Sequence, residues 1–362
     1  MPIYNLQNSM KRNNHSVFII AEISANHGQC LEKAVALIRA AKECGADAVK
    51  FQAYTPDIMT VDCNRKYFQV EHPEWGGQSL YELYKKAYTP WEWFGELKRV
   101  ADDLGIIFLC TAFDKTAVDM LEGLDICAHK ISSFELVDLP LIAYAAKTGK
   151  GLIISTGMGD ISEIRDAVDT ARRAGAEDII LLKCVSSYPA KAEEMNLRTI
   201  QDMKEQFNCP VGLSDHSLGI GASVCAVALG ADVIEKHFTL SRGDDTPDSF
   251  FSIEPAELKS LVENIRVAEK AIGNVHYGIT AEEERNRVFR RSLFVVEDIK
   301  AGQKFSEDNV RSIRPGYGLA PKFIDEVIGK TASCDIDKGT PFSWELVWHC
   351  YERNSQFLTE NV

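Results

Sequence analysis

Apolar runs alternate with helical patterns between residues 16 and 272. The runs that are rich in β-branched residues are predicted as strands at 16–24, 46–54, 105–113, 126–134, 151–158, 178–186, 209–215 and 231–238. Segments between them, such as CLEKAVALIRAAKECG, place apolar residues at helical spacing and end at glycine. Near-continuous apolar strands that alternate with helices predict a parallel sheet covered on both faces.

Eight β/α units within roughly 250 residues predict a TIM (β/α)8 barrel, which is an α/β fold. A doubly wound open sheet is the alternative, but no GxGxxG turn follows the first strand. Residues 55–89 interrupt the regular alternation of strands and helices. This connection is too long and too aromatic for a simple turn. Connections of this length often take part in function.

The alternation of apolar runs and helical patterns stops after residue 272. Short strands and glycine turns then predict a small, mostly-β domain that has little core of its own. We therefore predict a barrel domain with an N-terminal extension over 1–272, a charged linker over 273–289, the small domain over 290–350 and a polar tail over 351–362.

Charge and cysteine content limit the partners of the protein. The formal net charge of the 362 residues is −13, which argues against nucleic acid or an anionic membrane surface. The polar first residues predict no signal peptide, and no apolar run is long enough to span a bilayer. The 10 cysteines form no CxxC pair, as expected in a reducing, cytoplasmic location.

Polar residues gather where the predicted strands end. In TIM barrels the carboxyl ends of the strands form the active site, whereas the amino ends do not. The strand ends carry Glu22, Asn26 and His27; Lys50 and Gln52; Thr111 and Asp114; Lys130, Ser132, Ser133 and Glu135; Ser155 and Thr156; Lys183, Ser186 and Ser187; Ser214, Asp215 and His216; and Glu235, Lys236 and His237. Because the same strands begin apolar, a common site explains the pattern better than strands that merely reach the surface.

The last two strands end in histidines. Glu235 and His237 are two residues apart, so they share the face opposite Lys236. His216 and His237 end consecutive strands, which are neighbours in a barrel. The pair either holds a divalent cation that keeps open positions or consists of two unmetallated histidines.

Lysines and hydroxyl groups at the barrel mouth suit an anion. Lys50, Lys130 and Lys183 are expected to project into the mouth, with serines such as Ser133 and Ser155 between them. The turn in ISTGMGDISE contains glycine and opens a helix, which adds an anion cradle. This set predicts a phosphate or a carboxylate as the ligand.

An ordered series of motifs resembles one known family. The motifs are FIIAEISANH, GADAVKFQAYTPD, CTAFDKTAVDML, HKISSFELVDLPLI, IISTGM, CVSSYPA, MNLRTI, VGLSDHSLG, VIEKHFTL and RSIRPGYG. Through them the chain resembles the sialic acid synthase family from about residue 16 to residue 347. The small domain resembles the antifreeze-like (SAF) domain of these enzymes.

The resemblance implies a reaction, a cofactor and an assembly. Such an enzyme condenses phosphoenolpyruvate with the open-chain aldehyde of an N-acetylated amino sugar and releases phosphate. It uses a divalent metal, typically Mn²⁺, and His216 and His237 match its ligands. Arg314 matches an arginine that reaches the partner's site in a domain-swapped homodimer, in which each SAF domain caps the other site.

The resemblance also implies roles for the other residues. The catalytic residues it implies are Glu22, Lys50, Lys130 and Asp248. The contacts to phosphoenolpyruvate that it implies are Lys50, Thr111, Lys130, Ser133, Ser155, Ser186 and Ser214. Positions that line the sugar site are matched by Gln52, Glu135 and Tyr188, besides Arg314.

The motifs SSFE, YTPWEW and TPDSFFSIEP most resemble the pseudaminic acid branch, whose sugar is 2,4-diacetamido-2,4,6-trideoxy-altrose. The neuraminate and legionaminate branches, with the same mechanism, are the alternatives. The chain departs from the family pattern at Gly28, where Asn is expected, and at Asp245–Thr246, where a glycine pair is common in this branch.

Two hypotheses of other classes stand beside the synthase. Lys130 or Lys183 could form a Schiff base with a keto acid, which would make the protein an aldolase. Alternatively, the small domain could bind carbohydrate while the barrel serves as a scaffold without catalysis.

Overall fold

The computed structural model describes residues 17–348. Residues 1–16 of the predicted N-terminal extension, residues 349–350 and the predicted polar tail over 351–362 lie outside the described residues. The chain divides between Gly273 and Asn274 into two compact units.

Eight parallel strands of the first unit close into a barrel in chain order. They are β1 (Phe18–Glu22), β2 (Ala48–Ala53), β3 (Ile107–Ala112), β4 (Ala128–Ile131), β5 (Gly151–Ser155), β6 (Ile179–Cys184), β7 (Val211–Asp215) and β8 (Val233–His237). The prediction of a TIM barrel is confirmed. The strands are shorter than the sequence predicts, because several of the polar residues at their ends already belong to the loops.

Helices of the first unit follow the strands. The α-helices are α1 (Leu31–Glu43), α2 (Pro56–Met59), α3 (Leu80–Ala87), α4 (Phe94–Leu104), α5 (Lys115–Glu122), α6 (Leu139–Ala146), α7 (Ile161–Arg173), α8 (Thr199–Phe207), α9 (Gly221–Ala228) and α10 (Pro255–Ile272). Shorter 3-10 turns lie at Ser24–His27, Lys66–Phe68, Trp91–Trp93, Ala192–Glu194 and Ser249–Phe251. None of the helices within residues 17–348 is long and apolar enough to cross a membrane.

Side-chain caps fix where several helices begin. The carboxylate of Asp160 accepts hydrogen bonds from the Ser162 and Glu163 amides, and Glu163 bonds back to the Asp160 amide to complete a capping box on α7. Asp114 caps α5 by a simpler contact, in which its carboxylate accepts a hydrogen bond from the Ala117 amide. These caps begin helices directly after the strand ends, which keeps the βα loops short.

Strand alternation places polar groups above an apolar barrel interior. Phe18 and Ile20 of β1 pack in the cluster that fills the barrel, and Glu22 follows them on the same face. Val233 of β8 lies in this cluster as well, with Glu235 and His237 next on its face. The residues between them pack in the larger cluster against the helices. A layered apolar core therefore supports a polar end.

The second unit has a small core around two antiparallel strands. The strands are β9 (Ser292–Val295) and β10 (Val310–Ile313), and the helical segments are α11 (Ala281–Asn286), α12 (Ile324–Val327) and 3-10 turns at Arg287–Phe289, Pro321–Phe323 and Trp344–Leu346. Isolated bridges, such as Ile299 to Ile336, extend the pairing beyond these strands. Phe305 and Phe342 meet edge to face in a core of aliphatic side chains.

Candidate active site

A small cavity of about 50 Å³ opens at the carboxyl end of the barrel. The side chains that line it come from all eight strands or the loops that follow them. They are Glu22, Lys50, Gln52, Thr111, Lys130, Ser132, Ser133, Phe134, Ser155, Cys184, Tyr188, Ser214, His216, Glu235 and His237. Most of the residues that the sequence singles out as a site therefore lie around one cavity.

Lys50 is the centre of a buried ionic network. Its Nζ lies 2.9 Å from Glu22 Oε2 and 3.6 Å from Glu235 Oε2. It also donates a hydrogen bond to Thr111 Oγ1 at 3.1 Å. Burial disfavours the ammonium, but the two carboxylates outweigh that cost and raise the pKa of Lys50. Lys50 is therefore a fixed cation at neutral pH.

Glu22 shares this cation with Glu235, and the two carboxylates have different environments. Burial, together with repulsion from Glu235, raises the pKa of Glu22 to about 7 although Lys50 opposes the shift. Burial also acts on Glu235, but Lys50 and Lys130 outweigh it and lower its pKa. Gln52 Nε2 donates to Glu22 Oε1 at 2.8 Å and orients the carboxyl group. Glu22 can therefore exchange a proton near neutral pH, while Glu235 remains ionised.

Lys130 comes from β4, which lies across the barrel from β8, the strand that carries Glu235. Its ammonium donates to Ser155 Oγ at 2.6 Å and to the Ile131 carbonyl at 2.8 Å. Burial lowers the pKa of Lys130 to about 8. Two lysines thus face one cavity from different strands, which suits an anionic ligand despite the net negative charge of the chain.

Close backbone approach shapes the turn after β5. Ser133 Oγ accepts a hydrogen bond from the Gly157 amide at 3.0 Å. A Cβ atom at residue 157 would collide with Ser133 Oγ and Ser186 Oγ, so glycine is required for this approach. The turn brings two serine hydroxyl groups beside a backbone amide, as an anion cradle needs.

His216 and His237 face each other across the cavity wall, with ring centroids 5.2 Å apart. His216 Nδ1 donates to the Val185 carbonyl at 2.9 Å, which leaves its Nε2 with a free lone pair. Burial and the neighbouring His216 lower the pKa of His237 well below its usual value, so its imidazole is neutral. Among residues 17–348, the buried Nδ1 of His237 has no hydrogen-bond partner.

This donor set fits a metal ion with open coordination positions. Imidazole nitrogens are good ligands for divalent transition metals. Cys184 raises the pKa of His216, so a metal would have to displace a proton from this ring, whose Nδ1 stays bonded to the Val185 carbonyl. Asp248 Oδ2 lies 3.9 Å from His237 Nδ1. Within the described part of the chain, however, no group of three or more His, Cys, Asp or Glu side chains is arranged to hold a metal. The two histidines would therefore need further ligands from substrate or water.

Aromatic rings form the wall beside the histidines. The ring of Tyr188 lies 4.5 Å from that of His216 and 5.2 Å from that of Phe251, while His237 lies 4.7 Å from Phe251. The ring contacts limit how the imidazoles can rotate.

Four of the residues implied by the resemblance do not line the cavity itself. Glu135 forms a hydrogen bond with Ser132, a lining residue, and burial raises its pKa. Ser186 lies beside Gly157, and Asp248 lies beside His237. Arg314 is exposed in the second unit. Their roles remain predictions.

Lys183 does not project into the cavity. Leu182 packs inside the barrel and Cys184 lines the cavity, so Lys183 between them points to the other side of β6. Its ammonium donates to the Cys184 carbonyl at 3.0 Å. The expectation that three lysines enter the mouth is wrong for this one, which weakens it as a Schiff-base nucleophile.

Cys184 and Glu235 are cavity residues to which the sequence assigned no role. Cys184 Sγ lies 3.7 Å from His216 Nδ1, and although burial opposes it, His216 lowers the pKa of this thiol to about 7. A thiol at the end of an apolar strand carries no pattern that separates it from a core cysteine. For Glu235, the spacing from His237 predicts that the two side chains share a face of the strand. It does not predict that Lys50 lies beside Glu235.

Fold and site together are those of a TIM-barrel enzyme. The chain belongs to the NeuB family, which its residues 37–277 match, and residues 290–347 match the SAF domain. The resemblance to the sialic acid synthase family is thereby confirmed, as is the small C-terminal SAF domain.

The relatives cover three quarters or more of the chain. A pseudaminic acid synthase from Campylobacter jejuni is 45% identical over 89% of this chain and 94% of that protein. A pseudaminic acid synthase from Helicobacter pylori is 43% identical over 90% of this chain and 96% of that protein. A crystal structure of N-acetylneuraminic acid (sialic acid) synthetase from Leptospira borgpetersenii, in complex with citrate, is 35% identical with a TM-score of 0.67, over 75% of this chain and 90% of that chain.

Proposed function

We propose that this protein condenses phosphoenolpyruvate with 2,4-diacetamido-2,4,6-trideoxy-altrose and forms a nine-carbon, sialic-acid-like sugar and phosphate. The observation that carries the proposal is the convergence of Lys50, Lys130 and the two histidines His216 and His237 on one cavity at the barrel's carboxyl end. The names of the Campylobacter and Helicobacter relatives support the pseudaminic acid branch.

Binding of phosphoenolpyruvate would use the cationic side of the cavity. Lys50 and Lys130 are the cations, and the hydroxyl groups of Thr111, Ser133 and Ser155 lie between them. Ser214 and Ser186 belong to the same proposed set. Ammonium groups held in a buried site offset the charge of a carboxylate and a phosphate, and they stabilise the phosphate as it leaves.

Glu22 is the proposed general base. In the reaction C3 of phosphoenolpyruvate forms a bond to the aldehyde carbon while the C2–C3 and carbonyl π bonds break, and the aldehyde oxygen takes up a proton. Water adds at C2 and loses a proton. The bond from C2 to the phosphate oxygen then breaks with its electron pair leaving on phosphate, and the C2 hydroxyl loses its proton to give the ketone. The incoming water must lose a proton, and a carboxyl group with a pKa of about 7 can accept it at neutral pH. Gln52 holds that carboxyl group in place.

A divalent metal, which we propose to be Mn²⁺, fits beside His216 and His237. When bound there it would supply Lewis-acid polarisation of the sugar aldehyde. Tyr188, Glu135 and Asp248 are the proposed contacts on the sugar side, and Arg314 would contact the sugar from a partner subunit.

The remaining parts of the proposal concern assembly and location. We propose a domain-swapped homodimer in which the SAF domain caps the partner's site, with domain limits at 1–272, 290–350 and the linker between. We also propose a cytoplasmic location. The nine cysteines within residues 17–348 are all free, which supports a reducing compartment.

Phosphate release from phosphoenolpyruvate tests this function. The assay contains manganese and, in separate reactions, N-acetylmannosamine or the altro or manno form of the diacetamido sugar. Release with the altro sugar supports the proposal, whereas release with another sugar keeps the mechanism and changes the branch. If no sugar gives release, binding of phosphoenolpyruvate shows whether the site or the choice of sugars is wrong. Borohydride trapping with pyruvate would reveal a Schiff-base aldolase.

A further inference from the structure

Asp248 lies in the loop that follows β8, and residues from other parts of the chain contact this loop. Its Oδ2 accepts a hydrogen bond from the Ala25 amide at 3.4 Å and lies 3.9 Å from His237 Nδ1. The side chain is 13% exposed. The loop between β8 and Asp248 is anchored at its start by the buried Phe238, but its second half, GDDTPD, contains no large apolar side chain. The position of the carboxylate therefore depends on contacts made by neighbouring residues.

The first such contact comes from the 55–89 connection. Trp75 Nε1 donates a hydrogen bond to the Pro247 carbonyl at 2.7 Å, directly before Asp248. The indole ring lies 5.6 Å from the ring of Tyr188 and 6.2 Å from that of Phe250. One tryptophan thus joins the long connection to the loop of Asp248 and to the aromatic wall of the cavity.

The second contact is made by Thr246 from the opposite side of the loop. Its hydroxyl donates to Asn26 Oδ1 at 2.9 Å. Asn26 is fully buried, and its amide donates to the Phe238 carbonyl at 2.9 Å and to Ser252 Oγ at 2.8 Å. Thr246 is therefore bonded to a residue that is itself fixed.

The threonine fits because residue 28 is glycine. A Cβ atom at Gly28 would lie 3.2 Å from Thr246 Cγ2, and the backbone there has a φ of 55°, which favours glycine. Gly28 and Thr246 are two of the positions at which the chain departs from the family pattern, and the structure places them in contact. The two departures are consistent with one local arrangement of this loop.

We propose that Trp75 and Thr246 are positioning residues that hold Asp248 beside His237, so that the 55–89 connection is part of the active site. The role of Asp248 toward the sugar rests on the proposed function. The fixing of the loop does not, because it follows from the contacts of Trp75 and Thr246.

Four variants test the proposal in the full-length protein. Trp75→Phe keeps a ring and removes the N–H donor, and Thr246→Val keeps the shape and removes the hydroxyl. Thr246→Ser keeps the hydroxyl and removes only the methyl group. Trp91→Phe is the matched control, because Trp91 Nε1 also donates to a backbone carbonyl, that of Tyr54 at 3.2 Å.

The readout is steady-state kinetics with both substrates varied. Loss of one hydrogen bond should lower kcat/KM for the sugar roughly three- to tenfold in Trp75→Phe and in Thr246→Val. The KM for phosphoenolpyruvate should stay within about twofold, and Thr246→Ser and Trp91→Phe should resemble the wild type. Unchanged sugar kinetics, or an equal loss for both substrates, would overturn the proposal.

Hydrogen–deuterium exchange separates this proposal from the proposed function. If the wild type releases no phosphate with any sugar, the function fails, but the exchange of residues 241–252 can still be measured. Faster exchange of this segment in Trp75→Phe and Thr246→Val than in Trp91→Phe supports the positioning role. Equal exchange in all these variants overturns it.

Discussion

At the end of β8, the buried ionisable side chains of consecutive residues point to opposite sides of the strand. Lys236 faces away from the cavity, where its Nζ lies 2.9 Å from Asp215 Oδ2 and donates to the Ser217 carbonyl at 2.7 Å. Asp215 accepts further hydrogen bonds from Ser217 and from Ser223. Glu235 and His237 face the cavity instead.

The two sides differ in how completely their polar atoms are bonded. On the outer side the ammonium and both carboxylate oxygens have partners at 2.9 Å or less. On the inner side Glu235 Oε2 lies 3.6 Å from Lys50 Nζ, and His237 Nδ1 has no hydrogen-bond partner within residues 17–348. Buried polar groups normally find partners within the protein. At this strand end, complete bonding therefore accompanies the pair that faces away from the cavity, and incomplete bonding accompanies the groups that face it.

Replacing His237 should give the largest loss. The His237→Ala variant removes one of the two imidazoles that fit a metal, so manganese-dependent phosphate release should fall to background. Calorimetric titration with Mn²⁺ in the absence of substrates should show weaker binding. His276→Ala, which removes an exposed histidine of the second unit, is the control. Full metal-dependent turnover in His237→Ala would contradict the proposal that His237 binds the metal.

Replacing Lys130 by methionine should separate activity from stability. The loss of a cation that contacts the departing phosphate should lower kcat about 10²- to 10³-fold. The free energy of unfolding should not fall, because a buried ammonium is costly and methionine fills a similar volume. Urea unfolding and phosphate release measure the two effects on the same preparation. A less stable variant with unchanged kcat would place Lys130 with the structural groups.

Replacing Lys236 by methionine should have the opposite outcome. The substitution leaves the carboxylate of Asp215 buried without its cation, which typically costs about 3–5 kcal/mol of unfolding free energy. The kcat of the folded fraction should change less than tenfold, because Lys236 does not line the cavity. Adding Asp215→Asn should recover part of the lost stability. A stable Lys236→Met variant without turnover would mean that the outer pair acts in the reaction.

Alternation along the strands explains which parts of this comparison the sequence could predict. Phe18, Ile20 and Glu22 show the switch from apolar to polar on one face of β1, and β8 repeats it. In β6 both faces are apolar, so alternation carries no signal there. Lys183 was therefore assigned to the wrong side, and Cys184 was not recognised as a cavity residue.

Contacts between distant parts of the chain could not be predicted from the sequence. Lys50 of β2 meets Glu235 of β8 because both strands flank β1, and this adjacency exists only when the barrel is closed. Likewise, the contact between Trp75 and Pro247 joins positions 172 residues apart. Neither partner could be chosen from spacing along the chain, although the polar strand ends and the long connection marked the region.

The smallest expected effect compares the two carboxylates that share Lys50. The folded-state pKa of Glu22 is raised from 4.5 to about 7, so the unfolded chain releases this proton at a lower pH than the folded protein does. The contribution of Glu22 to stability is therefore complete below pH 4.5 and is lost as the pH rises toward 7. Glu22→Gln removes this loss, so its unfolding free energy relative to the wild type should rise between pH 5 and pH 8.

Glu235→Gln is the matched variant with the opposite sign. Lys50 and Lys130 hold the pKa of Glu235 below its usual value, so its contribution to stability is present at neutral pH and is lost as the pH falls. Relative to the wild type, Glu235→Gln should therefore be least stable at neutral pH and should recover in acid. Urea unfolding of both variants at pH 4, 5, 7 and 8 measures the two trends. If both variants followed the same trend, the two carboxylates would not differ as proposed, and Glu22 would lose its distinction as the proton acceptor.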